Sequence, residues 1–168
     1  MRMRPDLPCA YLAPMRVRDL YSPDAQVARP GDALAAAART LLESHVGSLV
    51  VVQAREAGAA RRPVGILTDR DIVRGQLRLG ADLFCLTVGD VMTPDPLTIP
   101  AKAGVTEAIE ALHRRGVRRA PVVDEAGGLL GVVAFDDLLP AVARELEELS
   151  TLIGGQARHE RELAGNEE

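Results

Sequence analysis

Gly65-Ile66-Leu67-Thr68-Asp69-Arg70-Asp71 ends an apolar run that begins at Pro63, and it passes at once into a helix-like pattern carried by Ile72, Val73 and Leu77. The stretch therefore predicts a strand that turns directly into a helix. Thr68 or Asp69 is placed to cap that helix, whose first N–H groups have no partner within it. Asp71 follows Thr68 by three residues, so both can face one pocket. A carboxylate there can accept hydrogen bonds from a vicinal diol, the chemistry of ribose recognition. The same Asp in a first helical turn also complements the helix dipole. For this stretch alone both readings stand.

The chain repeats itself on either side of this stretch. Val17-Arg18-Asp19-Leu20-Tyr21-Ser22-Pro23 aligns with Val88-Gly89-Asp90-Val91-Met92-Thr93-Pro94. A short extended segment follows in each copy, Gln26 to Pro30 and Leu97 to Pro100. A helix is predicted next, over Asp32 to Ser44 with a stripe of Leu34, Ala37, Ala38, Leu41 and Leu42, and over Val105 to Arg115 with Val105, Ala108, Ile109 and Leu112. The runs Val46 to Val52 and Val117 to Val123 are continuously apolar enough to be buried strands. A compact turn, Asp124 to Gly128, follows in the second copy, and a longer one, Ala54 to Arg62, in the first. Returning strands (Val64 to Leu67, Leu129 to Ala134) and closing helices (Asp71 to Leu79, Asp136 to Leu149) complete each unit. The fold class is α/β, as two β-α-β-β-α units. One unit of about 60 residues buries little surface alone, so the two should pack as a pseudo-two-fold pair with equivalent clefts between them. The expected organisation is an N-terminal arm over 1–16, repeats over 17–80 and 81–149, and a helix end with a charged tail over 150–168.

Composition narrows the function. Aromatic residues make up 2% of the chain and Trp is absent, so there is no stacking platform for single-stranded nucleic acid. The net charge of −4 gives no overall footprint for a polyanion. Cys9 and Cys85 follow no metal-binding spacing, so no metal site is expected. No apolar run reaches the roughly 20 residues of a membrane span, and Met1 to Pro8 lacks the apolar core of a signal peptide, so the expected location is cytoplasmic. There is no nucleophile elbow, Walker loop, dinucleotide fingerprint or zinc spacing. His45, His113 and His159 lie apart, and Asp69, Asp71, Asp136 and Asp137 each stand where a helix opens. No catalytic residue and no cofactor are expected.

These ordered copies resemble the CBS domain (named for cystathionine beta-synthase), a family that occurs as tandem pairs. The resemblance spans Val17 to about Leu149 and is carried by four features: the paired Val-x-Asp openings, the Pro-ended first strands, the Val-rich strands, and the motif Gly-x-x-Thr-x-x-Asp. That motif is intact as Gly65, Thr68 and Asp71; the second copy keeps Gly131 and Asp137 but has Ala134 in place of the hydroxyl residue. The resemblance implies a regulatory, non-catalytic Bateman module that senses adenosine-containing ligands (AMP, ADP, ATP or S-adenosylmethionine) and commonly forms a homodimer.

The resemblance places the ribose against Asp71 and draws phosphate-binding groups from the other copy, here Arg118 and Arg119. Adjacent strand residues face opposite ways, so one of the two can serve the neighbouring cleft. Arg114 and Arg115 lie close by at a helix end, where they also complement its dipole. Ile66, Leu67, Leu97 and Ile99 are the expected walls for adenine, with Gly65 and Thr68 completing the site. The second cleft (Val27, Gly131, Val132, Asp137) is expected to be weaker, because the positions matching the two arginines are Gly47 and Ser48. Two rival readings remain: a ligand-free module for dimerisation or docking of a protein partner, and a nucleic-acid-responsive regulator using Arg114, Arg115, Arg118 and Arg119.

Overall fold

The computed structural model describes residues 15–53, 60–147 and 150. The first repeat runs β1 (Val27–Ala28), α1 (Leu34–Glu43), β2 (Ser48–Gln53), β3 (Arg62–Thr68) and α2 (Asp69–Leu79). A short helix α3 (Val88–Val91) then opens the second repeat, which continues as β4 (Thr93–Pro94), β5 (Ile99–Pro100), α4 (Val105–Arg115), β6 (Arg119–Val123) and β7 (Leu129–Ala134). A last helix, α5, covers 135–147. Residues 1–14 of the expected arm, residues 54–59 of the longer turn, and the tail from 151 lie outside the described residues. Among the described residues no helix is long and apolar enough to cross a membrane.

The predicted β-α-β-β-α order is present twice. In each repeat the short first strand pairs in parallel with the Val-rich strand, which pairs antiparallel with the returning strand. Leu49 to Val52 of β2 and Ala120 to Val123 of β6 are all buried, as their continuous apolar character predicts. Helix α4 ends on Gly116 at φ +63°, a left-handed position that glycine occupies without cost, whereas α1 is followed by His45 at φ +51°.

The stripes of two helices are narrower than the sequence suggests. Leu42 on α1 is 76% exposed, and Val73 and Leu77 on α2 are 58% and 82% exposed. Helix α2 buries Ile72 and Gly75 instead. A Cβ on Gly75 would collide with the Val91 side chain, so α2 approaches α3 through its glycine and turns Val73 and Leu77 outward.

The two repeats exchange their opening segments. Strand β4 adds to the first repeat's sheet by pairing with β3 in the register Gly65 to Pro94 and Ile66 to Thr93. Reciprocally, Ser22 pairs with Val132 of β7 through two backbone hydrogen bonds of 2.9 Å. The N–H of Val17 donates to the Ala103 carbonyl at 3.0 Å, and the N–H of Val88 donates to the Asp32 carbonyl at 2.9 Å. Val17 accordingly belongs to the second repeat's core with Ile99, Leu112 and Leu138, while Val88 and Val91 belong to the first repeat's core with Leu34, Leu49 and Leu67. Met15 packs against the second core as well, and Arg16 donates to the Lys102 carbonyl at 2.7 Å.

This crossing explains both motif glycines. A Cβ on Gly65 would lie 2.7 Å from Met92 Sδ and 3.1 Å from the Thr93 carbonyl oxygen. A Cβ on Gly131 would collide with the Ser22 carbonyl oxygen. Each glycine is the point where the other repeat's opening segment crosses the returning strand.

Candidate functional site

The turn from β3 to α2 is built from its own side chains. Thr68 is the N-cap in extended conformation (φ −118°, ψ 164°). Its hydroxyl accepts from the Asp71 N–H at 3.2 Å and donates to Asp71 Oδ2 at 2.6 Å, while the Thr68 N–H donates to the same Oδ2 at 3.0 Å. Asp71 Oδ1 accepts from the Thr93 hydroxyl of β4 at 3.3 Å. An ionised carboxylate offers about four lone-pair sites, so these three bonds leave roughly one, on Oδ1. A second becomes available if Thr93 releases its hydrogen bond. The cap and a ligand contact thus fall on different oxygens of one carboxylate. Thr93 joins the site although sequence reasoning did not assign it. The available signal was the hydroxyl before proline in both openings, Ser22-Pro23 and Thr93-Pro94.

The matching turn from β7 to α5 has fewer internal bonds. Asp137 Oδ2 accepts from the Ala134 N–H at 2.8 Å, and Ala134 has no hydroxyl to add. This is the difference that the threonine-to-alanine change predicts.

The two arginines part company. Arg118 Nη2 lies 3.3 Å from Asp136 Oδ1, in its own repeat's turn, and its carbonyl accepts from the Phe135 N–H at 2.8 Å. Both side chains of this ion pair are well exposed, so the pair itself adds little stability. Of the two arginines expected opposite Asp71, with one able to serve the neighbouring cleft, Arg118 lies beside Asp136. Arg119 pairs in register with Ala134, yet its guanidinium reaches into the first repeat, with Nη1 3.3 Å from where a Cβ on Gly47 would sit. Gly47 precedes Ser48, whose register partner is Thr68. The alternation of strand neighbours sends one arginine to each side. Arg115, by contrast, donates to the Asp95 carbonyl at 3.2 Å.

The apolar candidates also divide. Leu67 and Ile99 are 0% and 2% exposed and sit in separate cores. Ile66 and Leu97 are half-buried, as are Val27 and Val132 around the second cleft, where Gly131 is buried and Asp137 exposed. A cleft of about 520 Å³ opens between the repeats, lined by Pro23, Ala25, Val27, Ala60, Arg61, Leu129 and Leu130. Its size suits a small molecule. Of its lining, only Val27 was assigned from the sequence, because Leu129 and Arg61 meet through a backbone hydrogen bond of 2.8 Å that no local pattern announces.

Known proteins share this architecture. The chain is 31% identical over 109 residues to the uncharacterized protein MK0525 of Methanopyrus kandleri, covering 63% of this chain and 53% of that one, so it spans about half of that relative's length. It is 30% identical over 145 residues to an uncharacterized 17.7 kDa protein of Acidianus ambivalens, covering 86% of this chain and 81% of that protein. Among solved structures, that of CBSX2 from Arabidopsis thaliana in complex with AMP superposes with a TM-score of 0.65 at 27% identity, covering 77% of this chain and 96% of that one. The CBS domain model matches residues 17–78 and 88–144. With two adjacent matches, two α/β units and openings exchanged between them, the chain belongs to the CBS domain family, as a tandem pair.

Proposed function

We propose that this chain is a non-catalytic regulatory module that binds an adenine nucleotide between its repeats and signals through their relative placement. The observation that carries the reading is the bond from Thr93 to Asp71. It joins an element of the second repeat to the carboxylate that a ribose would occupy. A ribose hydroxyl taking up Oδ1 competes with Thr93, so occupancy alters a contact between repeats and favours one arrangement over another. Arg119 is the cation offered to the phosphate at this turn, and Arg118 the one at the second. Ile66 and Leu97 are the walls offered to the base. The AMP complex of CBSX2 supports the ligand class.

Titration calorimetry with AMP, ADP, ATP and S-adenosylmethionine tests the reading. Asp71→Ala is expected to weaken nucleotide binding by about tenfold or more, the scale of a lost charge-assisted hydrogen bond. Thr93→Val keeps the cap and frees Oδ1, and is expected to strengthen binding slightly. Binding unchanged by Asp71→Ala, in a variant that still melts cooperatively, overturns the ribose contact.

Self-association belongs to the same proposal. Val73 and Leu77 on α2, and Leu139 and Leu146 on α5, are each more than half exposed. Paired helix faces in a homodimer would cover them. Light scattering of the purified chain at two concentrations checks this, and a monomer at both overturns it.

A further inference from the structure

The two arginines differ in how they are committed. Arg118 is held by Asp136. The Arg119 side chain makes no hydrogen bond or ion pair among the described residues, although both turns open a helix with aspartates. Its backbone belongs to the second turn, where it pairs with Ala134. Its guanidinium lies over Gly47, at the start of the strand that runs beside Thr68 in the first turn. The first repeat has no cation of its own at the matching positions, which are Gly47 and Ser48.

We infer that Arg119 is a cation shared by the two inter-repeat clefts, so that a phosphate bound at one turn withdraws it from the other and the two sites couple negatively. The inference rests on the proposed nucleotide site and adds a relation between the clefts. A guanidinium presents its donors in one planar fork, so it can face one phosphate squarely but not two on opposite sides. Gly47 allows the crossing: a side chain there would press on the guanidinium and return it to its own repeat. A phosphate at the first turn holds Arg119 where it now lies. A phosphate at the second turn already faces Arg118, and it gains a second guanidinium only by drawing Arg119 back toward Ala134, which leaves the first turn with its helix N-terminus alone.

The test is AMP titration of the full chain, read as stoichiometry and stepwise affinity. The native chain is expected to take one equivalent, with the second weaker by about tenfold or more, the cost of one charge-assisted contact. Arg119→Ala, an exposed position, is expected to weaken every equivalent that binds. Ser48→Arg gives the first repeat its own cation at the position matching Arg119, and is expected to bring the second equivalent up to the affinity of the first. Two equal and independent equivalents in the native chain overturn the coupling, as does Arg119→Ala weakening one equivalent while another stays unchanged. In those cases the nucleotide site itself survives. Failure of the native chain to bind AMP at all removes the site and the coupling together.

Discussion

The β3–α2 turn and the β7–α5 turn occupy equivalent places, yet they hold their aspartates differently. In the first, Asp71 accepts three hydrogen bonds, two from Thr68 and one from the other repeat's Thr93. In the second, among the described residues, Asp137 accepts a single one from the Ala134 N–H, and the neighbouring Asp136 pairs with Arg118 of the same repeat. The first turn is thus internally braced and joined to the other repeat through Thr93, while the second is loosely braced and carries an ion pair within its own repeat. A fold can repeat faithfully while the chemistry at its equivalent points diverges, because strand pairing is made by backbone groups and the site by a few side chains.

The largest expected effect comes from the motif glycines. Gly131→Ala places a methyl group against the carbonyl of Ser22, a residue fixed by two backbone hydrogen bonds, and should cost about 3 kcal/mol or more. Gly65→Ala meets chiefly the Met92 thioether, which can move aside, and should cost about 1–2 kcal/mol. Urea unfolding of both variants measures the difference. Equal costs would mean that the two crossings are equally tight, contrary to the contacts described.

A smaller effect is expected at the caps. Ala134→Thr supplies the missing hydroxyl to Asp137 and should stabilise the chain by about 1 kcal/mol, while Thr68→Ala should remove a similar amount from α2. Thermal unfolding of the pair checks this. A destabilising Ala134→Thr would mean that Ser22 and Val132 leave the second turn no room for a side chain of that size.

Much of the fold was legible because apolar periodicity and the paired openings are local signals. The limits of α4 and β7 match those predicted, and Thr68 was one of the two residues placed to cap α2, although the reciprocal bond to Asp71 was not read. What could not be read was which repeat each opening segment would join. Val17 and Val88 look alike in sequence, and nothing local says that each completes the opposite core. Nor does the sequence say which of Arg118 and Arg119 stays within its own repeat. Arg118 meets Asp136 through the β6–β7 hairpin. Nor does periodicity reveal that Gly75 would bring α2 onto α3 and leave Leu77 at the surface.

The smallest effect concerns acid. Thr87 caps α3, and its hydroxyl and N–H donate to Asp90 Oδ2 at 2.7 and 2.8 Å, holding that carboxyl below its ordinary value of 3.8. At the equivalent Asp19 the residue three positions earlier is Arg16, which offers only its N–H, at 3.2 Å. A carboxyl depressed in the folded state contributes stability that is present above its unfolded pKa and is lost as pH falls through the folded one. Thr87→Val should therefore raise the Asp90 pKa toward its ordinary value and reduce this contribution near neutral pH, with no change below the depressed pKa. A carboxyl-detected NMR titration of both proteins checks the direction.

The exchanged openings carry a consequence for how the chain reaches this state. Neither core is complete until segments such as Val17 and Ala103, 86 residues apart in sequence, have met. Contacts this distant slow folding, because the loop must close before its apolar residues are rewarded. Until then each half presents an open socket shaped for a Val-x-Asp segment, and a neighbouring chain carries two such segments. The reciprocity that binds the halves of one molecule is therefore also a route to swapping between molecules, favoured by crowding during synthesis and disfavoured when the linker over residues 80–88 is long enough for each opening segment to reach the socket of its own chain.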